Sequence, residues 1–187
     1  MSSTTAAQAP SFEEYAAASW PTLYRSAYLL AGNHADAEDL AQQTLVKAHG
    51  AWANVSASDS VHAYVRRILT NTFLSSTRPR RRRLELLTGD VPEWGRASGG
   101  ATSTTGVPGA SDERAALWPH VRELPPQQRA VVVLRYFEQL SEAEIAETLG
   151  CSRGTVKSTA HRALKSLKVA LEASDDQPRA QQSRKEA

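Results

Sequence analysis

Apolar residues recur along most of this chain at steps of three and four, the spacing that places them on one face of a helix. Phe12, Tyr15, Ala16, Leu23, Tyr24, Ala27 and Leu30 form the first such series. Ser11 with Glu14 three residues later is a capping box that starts it, Pro21 is expected to kink or split it, and Gly32 and Asn33 end it. A second series runs from His34 to Trp52, with Ala37, Leu40, Ala41, Thr44, Leu45, Ala48 and Trp52 inward and Glu38, Asp39, Gln42, Gln43 and Lys47 outward. Residues 53–60 read as a loop. Asp59 or Ser60 then caps a third helix, from Val61 to about Thr77, burying Val61, Val65, Ile68, Leu69, Thr72 and Phe73.

Beyond residue 84 the pattern stops. Residues 85–111 shift to Gly, Ser, Thr, Ala and Pro, the composition of a flexible linker with an r.m.s. span of roughly 28 Å. Helical spacing resumes at Asp112 and continues to Leu124 through Ala116, Leu117, His120 and Val121. Pro125 and Pro126 stop that helix, and Pro126 suits the first position of the next. There Val131, Val132, Leu134, Phe137 and the stem of Arg135 point inward. Residues 1–10 and 173–187 are polar and patternless and are expected to be disordered. No strand pair and no repeat occurs, so the expected fold is all-α. It comprises two small helical domains, 11–84 and 112–172, joined by the 85–111 linker.

The most specific pattern is Leu140 to Leu167. Ser141 and Glu144 form a capping box, with Leu140 and Ile145 as its hydrophobic staple. Gly150 supplies a left-handed helix end and Ser152 caps a second helix. In that helix Val156, Ala160, Ala163, Leu164 and Leu167 share a buried face. Gly154, Thr155, Ser158, His161, Arg162 and Lys165 lie opposite, with Lys157 at the margin. Two helices joined by so short a turn, the second basic outside, fit a helix-turn-helix whose second helix enters a DNA major groove. An ordinary helical hairpin with a solvated cationic face is the alternative. The small side chains of Gly154, Thr155 and Ser158 favour the groove, because bulk there would hold the helix away from the bases.

Charge sharpens this. The net value of +2 over 187 residues conceals a segregation. Residues 1–59 carry −4, 60–83 carry +7 with seven Arg and no acid, 84–150 carry −5, and 151–172 carry +4. Two positive patches imply two contacts on a polyanion, and the acidic remainder suits a protein partner. Arg78 to Arg83 directly follows a helix bearing Arg66, Arg67 and Asn71, and it reads as phosphate-contacting. No run approaches the ~18 apolar residues of a membrane span, and the N-terminus lacks the layout of a secretory signal. With one cysteine, Cys151, there is neither an internal disulfide nor a cysteine-based zinc site, and a cytoplasmic protein is expected. No catalytic or nucleotide-binding motif occurs, and the five His have no metal-ligand spacing. Asp36, Glu38 and Asp39 complement a helix dipole better than they hold magnesium. Catalysis, a metal and a cofactor are therefore not expected.

Three stretches together resemble a bacterial RNA polymerase sigma factor of the extracytoplasmic-function group, closest to actinobacterial SigE-like members. They are DAEDLAQQTLVKAHGAW (36–52), HAYVRRILTNTFLSSTRPRRRR (62–83) and ELPPQQRAVVVLRYFEQLSEAEIAETLGCSRGTVKSTAHRALKSL (123–167). The likeness is to the compact group, without a third domain or an acidic N-terminal region. It implies that Asp36, Glu38, Asp39, Gln42 and Gln43 dock on the clamp helices of the polymerase's largest subunit. It implies that His62, Arg66, Arg67, Thr70, Asn71, Arg78, Arg80, Arg81 and the loop 53–60 hold the opened −10 strand. It further implies that Arg153, Thr155, Lys157, Ser158, His161 and Arg162 read the −35 duplex. The flap of the second-largest subunit and an anti-sigma protein are further implied partners. Thr159-Ala160-His161-Arg162 departs from the Ser-Arg common in relatives, so its −35 preference is expected to differ. A self-sufficient helix-turn-helix regulator, with 12–83 sensing or dimerising, is the competing reading.

Overall fold

The computed structural model describes residues 10–87 and 112–182, with side chains described for 10–77 and 117–174. The N-terminal segment to residue 9, the linker over 88–111, the end of the tail from 183 and the side chains of Arg78, Arg80 and Arg81 lie outside those residues. The described chain is all-α and divides into two units between Phe73 and Leu74.

In the first unit, α1 spans Phe12–Ala31. Its capping box forms as the sequence requires: Ser11 Oγ accepts from the Glu14 amide at 3.2 Å, and the Glu14 carboxylate accepts from the Ser11 amide at 2.9 Å. Pro21 does not split it. The ring is exposed, and burial of Ser19 and Leu23 on either side carries the helix through the missing hydrogen bond. The stripe is also wider than its spacing suggested, because Ser26 to Leu30 are buried at consecutive positions. Gly32 closes α1 at φ 90°, donating to Tyr28 O at 2.8 Å. The Tyr24 hydroxyl and His34 Nδ1, 2.8 Å apart, then latch α1 to the start of α2, His34–Gly50.

Helix α2 ends before Trp52. A short α3, Trp52–Ser56, occupies the first part of the expected loop and carries Val55 into the core. Ser60 is the cap of α4, accepting from the Ala63 amide at 3.2 Å. α4 spans Val61–Leu87, so it continues past Thr77 through Pro79 and the arginine run. Arg and Leu are strong helix formers, and one proline removes a single donor. Lys47 is exposed, as expected, and its ammonium donates to Thr72 Oγ1 at 2.9 Å, tying α2 to α4.

The second unit contains α5 (Asp112–Glu123), α6 (Pro126–Val132), a π-helical turn (Val133–Phe137), α7 (Glu142–Leu149) and α8 (Arg153–Gln182). Trp118, Val121 and Leu124 bury the end of α5. Arg129, itself largely buried, donates to the carbonyls of Arg122 and Leu124, closing the end of α5. Burial, with Arg122 nearby, pushes its pKa down to about 10, which still leaves a cation at neutral pH. The π turn was not legible in the heptad-like spacing. Glu138 N donates to Val133 O at 3.0 Å, and Gln139 follows at φ 58°.

Val131, Leu134, Ile145, Ala146, Val156 and Ala160 form one apolar cluster, with Leu140, Leu149 and Cys151 packed against it. It joins α6, α7 and α8. Leu164, expected on the buried face, is 45% exposed. Helix α8 continues to Gln182, past the point where disorder was expected. Gly150 turns the chain between α7 and α8 at φ 63°, ψ 39°. The Cys151 amide donates to Ala146 O at 3.0 Å and the Gly150 amide to Glu147 O at 3.3 Å, the paired bonds of a Schellman end.

A Cβ at Gly150 would meet nothing within 4 Å, so the position needs glycine only for its backbone angle. Gly150→Ala is accordingly expected to destabilise the second unit by about 1–2 kcal/mol, read as a shift in denaturant midpoint with unchanged slope.

Candidate nucleic-acid and partner interfaces

The start of α8 is locally over-determined. Ser152 Oγ accepts from the Thr155 amide at 3.1 Å, and the two hydroxyls lie 2.9 Å apart. Val156, Thr159, Ala160, Ala163 and Leu167 are buried against the unit. That leaves Arg153, Gly154, Thr155, Lys157, Ser158, His161 and Arg162 exposed in one continuous surface. α8 carries no acid from Arg153 to Leu171. All six residues expected to read duplex DNA therefore share this surface. Several are held by their own helix: Ser158 Oγ donates to Thr155 O at 3.1 Å, and Arg162 donates to Ser158 O at 3.4 Å and Thr159 Oγ1 at 3.3 Å. Gly154 has room for a side chain, since a Cβ there would meet only Ser152 Oγ at 3.7 Å.

Arg135 is half-buried. Its guanidinium pairs with Glu142 at 2.8 Å, bridging the π turn to the first residue of α7. The Arg135 hydrogen bond holds the Glu142 carboxyl below the usual carboxylate range, and the charges of Arg135, Lys157 and Arg153 add to it.

On α4, His62, Arg67 and Asn71 are exposed and Arg66 is half-buried. Thr70 is 0% exposed and its hydroxyl donates to Arg66 O at 2.9 Å, so it cannot meet a base as the sequence suggested. A back-bonded threonine and a surface threonine look alike in sequence. Beside His62 lies an aromatic group drawn from α1, α2 and α3. Phe12 meets His49 at 4.7 Å and Trp52 at 5.4 Å, while Tyr15 meets Trp52 at 5.4 Å and His62 at 6.2 Å. Burial raises the Tyr15 pKa, against smaller opposing effects of Ser19 and Arg66. No local spacing could have announced a cluster assembled from such distant segments.

On α2, Asp36, Glu38, Asp39, Gln42 and Gln43 are all exposed. Asp36 is partly committed to the helix start, where its carboxylate accepts from Asn33 Nδ2 at 2.7 Å. Gln42 donates to Glu38 at 3.3 Å and Gln43 to Asp39 at 2.8 Å, so the face is a ladder of i, i+4 pairs. Val46 continues that face at 72% exposure. Its spacing from Asp39, Gln42 and Gln43 was visible in the sequence, but an apolar residue there was not counted. Among the described residues no group of His, Cys, Asp and Glu could hold a metal ion, and no helix is long and apolar enough to cross a membrane.

With two units in hand, one carrying an acidic helix beside a basic one and the other a helix-turn-helix, comparison with known families is direct. Residues 17–83 match Sigma-70 region 2, and residues 121–167 match Sigma-70, region 4. The chain belongs to the sigma-70 family of RNA polymerase sigma factors, in its extracytoplasmic-function group. Its relatives include the RNA polymerase sigma-E factor of Streptomyces avermitilis, 39% identical over 90% of this chain and 89% of that protein. The sigma-E factor of Streptomyces coelicolor is 40% identical over 90% of each. A solved structure of the sigma factor RpoE in complex with the anti-sigma factor NepR, from Bartonella quintana, is similar at a TM-score of 0.65 and 27% identity. The match covers 86% of this chain and 96% of that one.

The Arg135–Glu142 pair has a pH signature. The folded carboxyl lies below its unfolded value, so its contribution to stability is present above the ordinary Glu pKa of about 4.3 and is lost as pH falls through the depressed folded value. Glu142→Gln should lower Tm at neutral pH. The gap to the parent should narrow below about pH 4 and close in stronger acid, followed by circular dichroism.

Proposed function

We propose that this alternative sigma factor divides promoter recognition and polymerase binding among three faces. The outer face of α2, with Glu38, Asp39, Gln42, Gln43 and Val46 and with Asp36 at its edge, docks on the clamp helices of the core polymerase's largest subunit. The outer face of α4, with His62, Arg66, Arg67 and Asn71 and with Arg78, Arg80 and Arg81 beyond, holds the opened −10 strand. The outer face of α8, from Arg153 to Arg162, reads the −35 element as duplex. The flap of the second-largest subunit and an anti-sigma protein are further partners; the likeness to the RpoE chain solved with NepR supports the latter. The chain acts without catalysis of its own and without a cofactor, in the cytoplasm on nucleoid DNA. Residues 11–84 serve as the region 2 domain and 112–172 as the region 4 domain.

The observation that carries the −35 role is the acid-free, exposed surface of α8 with small residues at its leading end. Gly154 supports it, because packing within the unit does not demand a glycine there. A bare backbone at that point serves close approach to bases. Lys157 and Arg162 suit phosphates, which set register, whereas Ser158 and His161 are placed for base edges. For the −10 role, melting needs bases drawn from the stack and a backbone tracked by cations, which the α4 face and adjoining rings can supply. An acidic docking face keeps its own DNA repulsion away from the basic helices.

The decisive experiment is run-off transcription with core polymerase on genomic fragments, followed by start-site mapping. The free chain should bind promoter duplex weakly, and open complexes should form only with core. Tight sequence-specific binding without polymerase would instead favour a self-sufficient regulator. Lys157→Ala with Arg162→Ala should reduce −35-dependent initiation roughly tenfold or more, given about 1–3 kcal/mol per lost contact. Arg67→Ala with Asn71→Ala should impair melting, read by permanganate reactivity, with core binding intact. Asp39→Arg or Val46→Arg should do the reverse, losing core binding in a pull-down.

A further inference from the structure

We infer that Glu142 is a built-in competitor for the DNA backbone: in the free chain its carboxylate occupies the place on Arg135 that a phosphate takes when α8 enters a groove. The inference rests on the reading that α8 docks on duplex DNA. Arg135 and Glu142 pair at 2.8 Å, with side chains 36% and 38% exposed, so the pair is reachable from outside. Glu142 is the first residue of α7, the leading helix of the helix-turn-helix. That helix crosses the DNA backbone in the docked geometry, and its N-terminus attracts phosphate. An anion is thus fixed where the polyanion arrives.

The cations around it complete the argument. Arg135 acts most strongly on the Glu142 carboxyl, and Lys157 and Arg153, both on the exposed surface of α8, act on it as well. The neighbouring acid Glu144 is committed elsewhere, accepting from the Ser141 amide at 2.8 Å and the Ser141 hydroxyl at 2.6 Å. Glu142 therefore neutralises part of a cationic surface without serving the cap. An exposed ion pair is weak and readily exchanged. A phosphate that replaces the carboxylate gains Arg135 but must displace Glu142, which lowers the net return on binding. The consequence is a region 4 unit with restrained affinity for duplex of any sequence, so that it is not titrated away by the excess of non-specific sites.

The test uses the full chain and a fluorescent mixed-sequence duplex, with anisotropy followed between about 50 and 200 mM salt. Glu142→Gln is expected to tighten binding on the order of three- to fivefold at the low-salt end and to steepen log K against log salt by about one. It should do so while lowering Tm, a pairing of effects that a merely structural role does not produce. In an Arg135→Gln background the gain should shrink. If Glu142→Gln leaves affinity and slope unchanged, or if neither protein binds at low salt, the inference is wrong. If Lys157→Ala with Arg162→Ala weakens binding in the same series, the docking of α8 on duplex stands regardless. If that double change has no effect while Glu142→Gln does, the docking role of α8 fails instead.

Discussion

The exposed basic face of α8 is held in place by one apolar cluster. Val131 and Leu134 from the α6 segment, Ile145 and Ala146 from α7, and Val156 and Ala160 from α8 are buried together. α7 and α8 contribute two residues each, and α6 and the π turn one each, so removing any of them strips partners from the others. Close packing allows few alternative arrangements of such a trio. The Gly150 turn then sets the angle between α7 and α8. The polar side chains on α8 have fixed outward directions only because the inward ones have no freedom.

The first unit solves a different problem, which is to keep opposite charges apart on neighbouring helices. Asp39 and Glu38 lie on the outer face of α2, and Arg67 lies on α4. Lys47 of α2 donates to the uncharged Thr72 hydroxyl of α4. Had Lys47 reached an acid of its own face, that face would have lost charge. The ladder of Gln42 and Gln43 to Glu38 and Asp39 presents carboxylates already ordered, which reduces the entropy a partner must remove.

Helix positions, caps and the helix-turn-helix were legible because they depend on neighbours in sequence. Ser11 with Glu14, Ser141 with Glu144, and Gly150 act within a few residues, and spacing reveals them. What spacing could not reveal was set by contacts at long range. Pro21 is tolerated because α2 and the core hold α1 on both sides of it. Val55 is buried from a short helix in the expected loop, and the π turn inserts an extra residue that no spacing rule reveals. Among the site residues, Thr70 was misplaced because a threonine's hydroxyl can satisfy its own helix. The aromatic group at Tyr15, Trp52 and His62 spans three helices, so only the fold assembles it.

Gly154 separates two demands that most residues in a small domain must meet at once. Its Cβ site is open to within ordinary contact distance of Ser152 alone, so the fold is nearly indifferent to what stands there. Neighbouring positions such as Val156 and Ala160 have no such freedom. A lineage carrying this scaffold can therefore vary position 154 with little penalty in stability. Substitution at that one position is thus decoupled from folding, and a change there never passes through an unfolded ancestor.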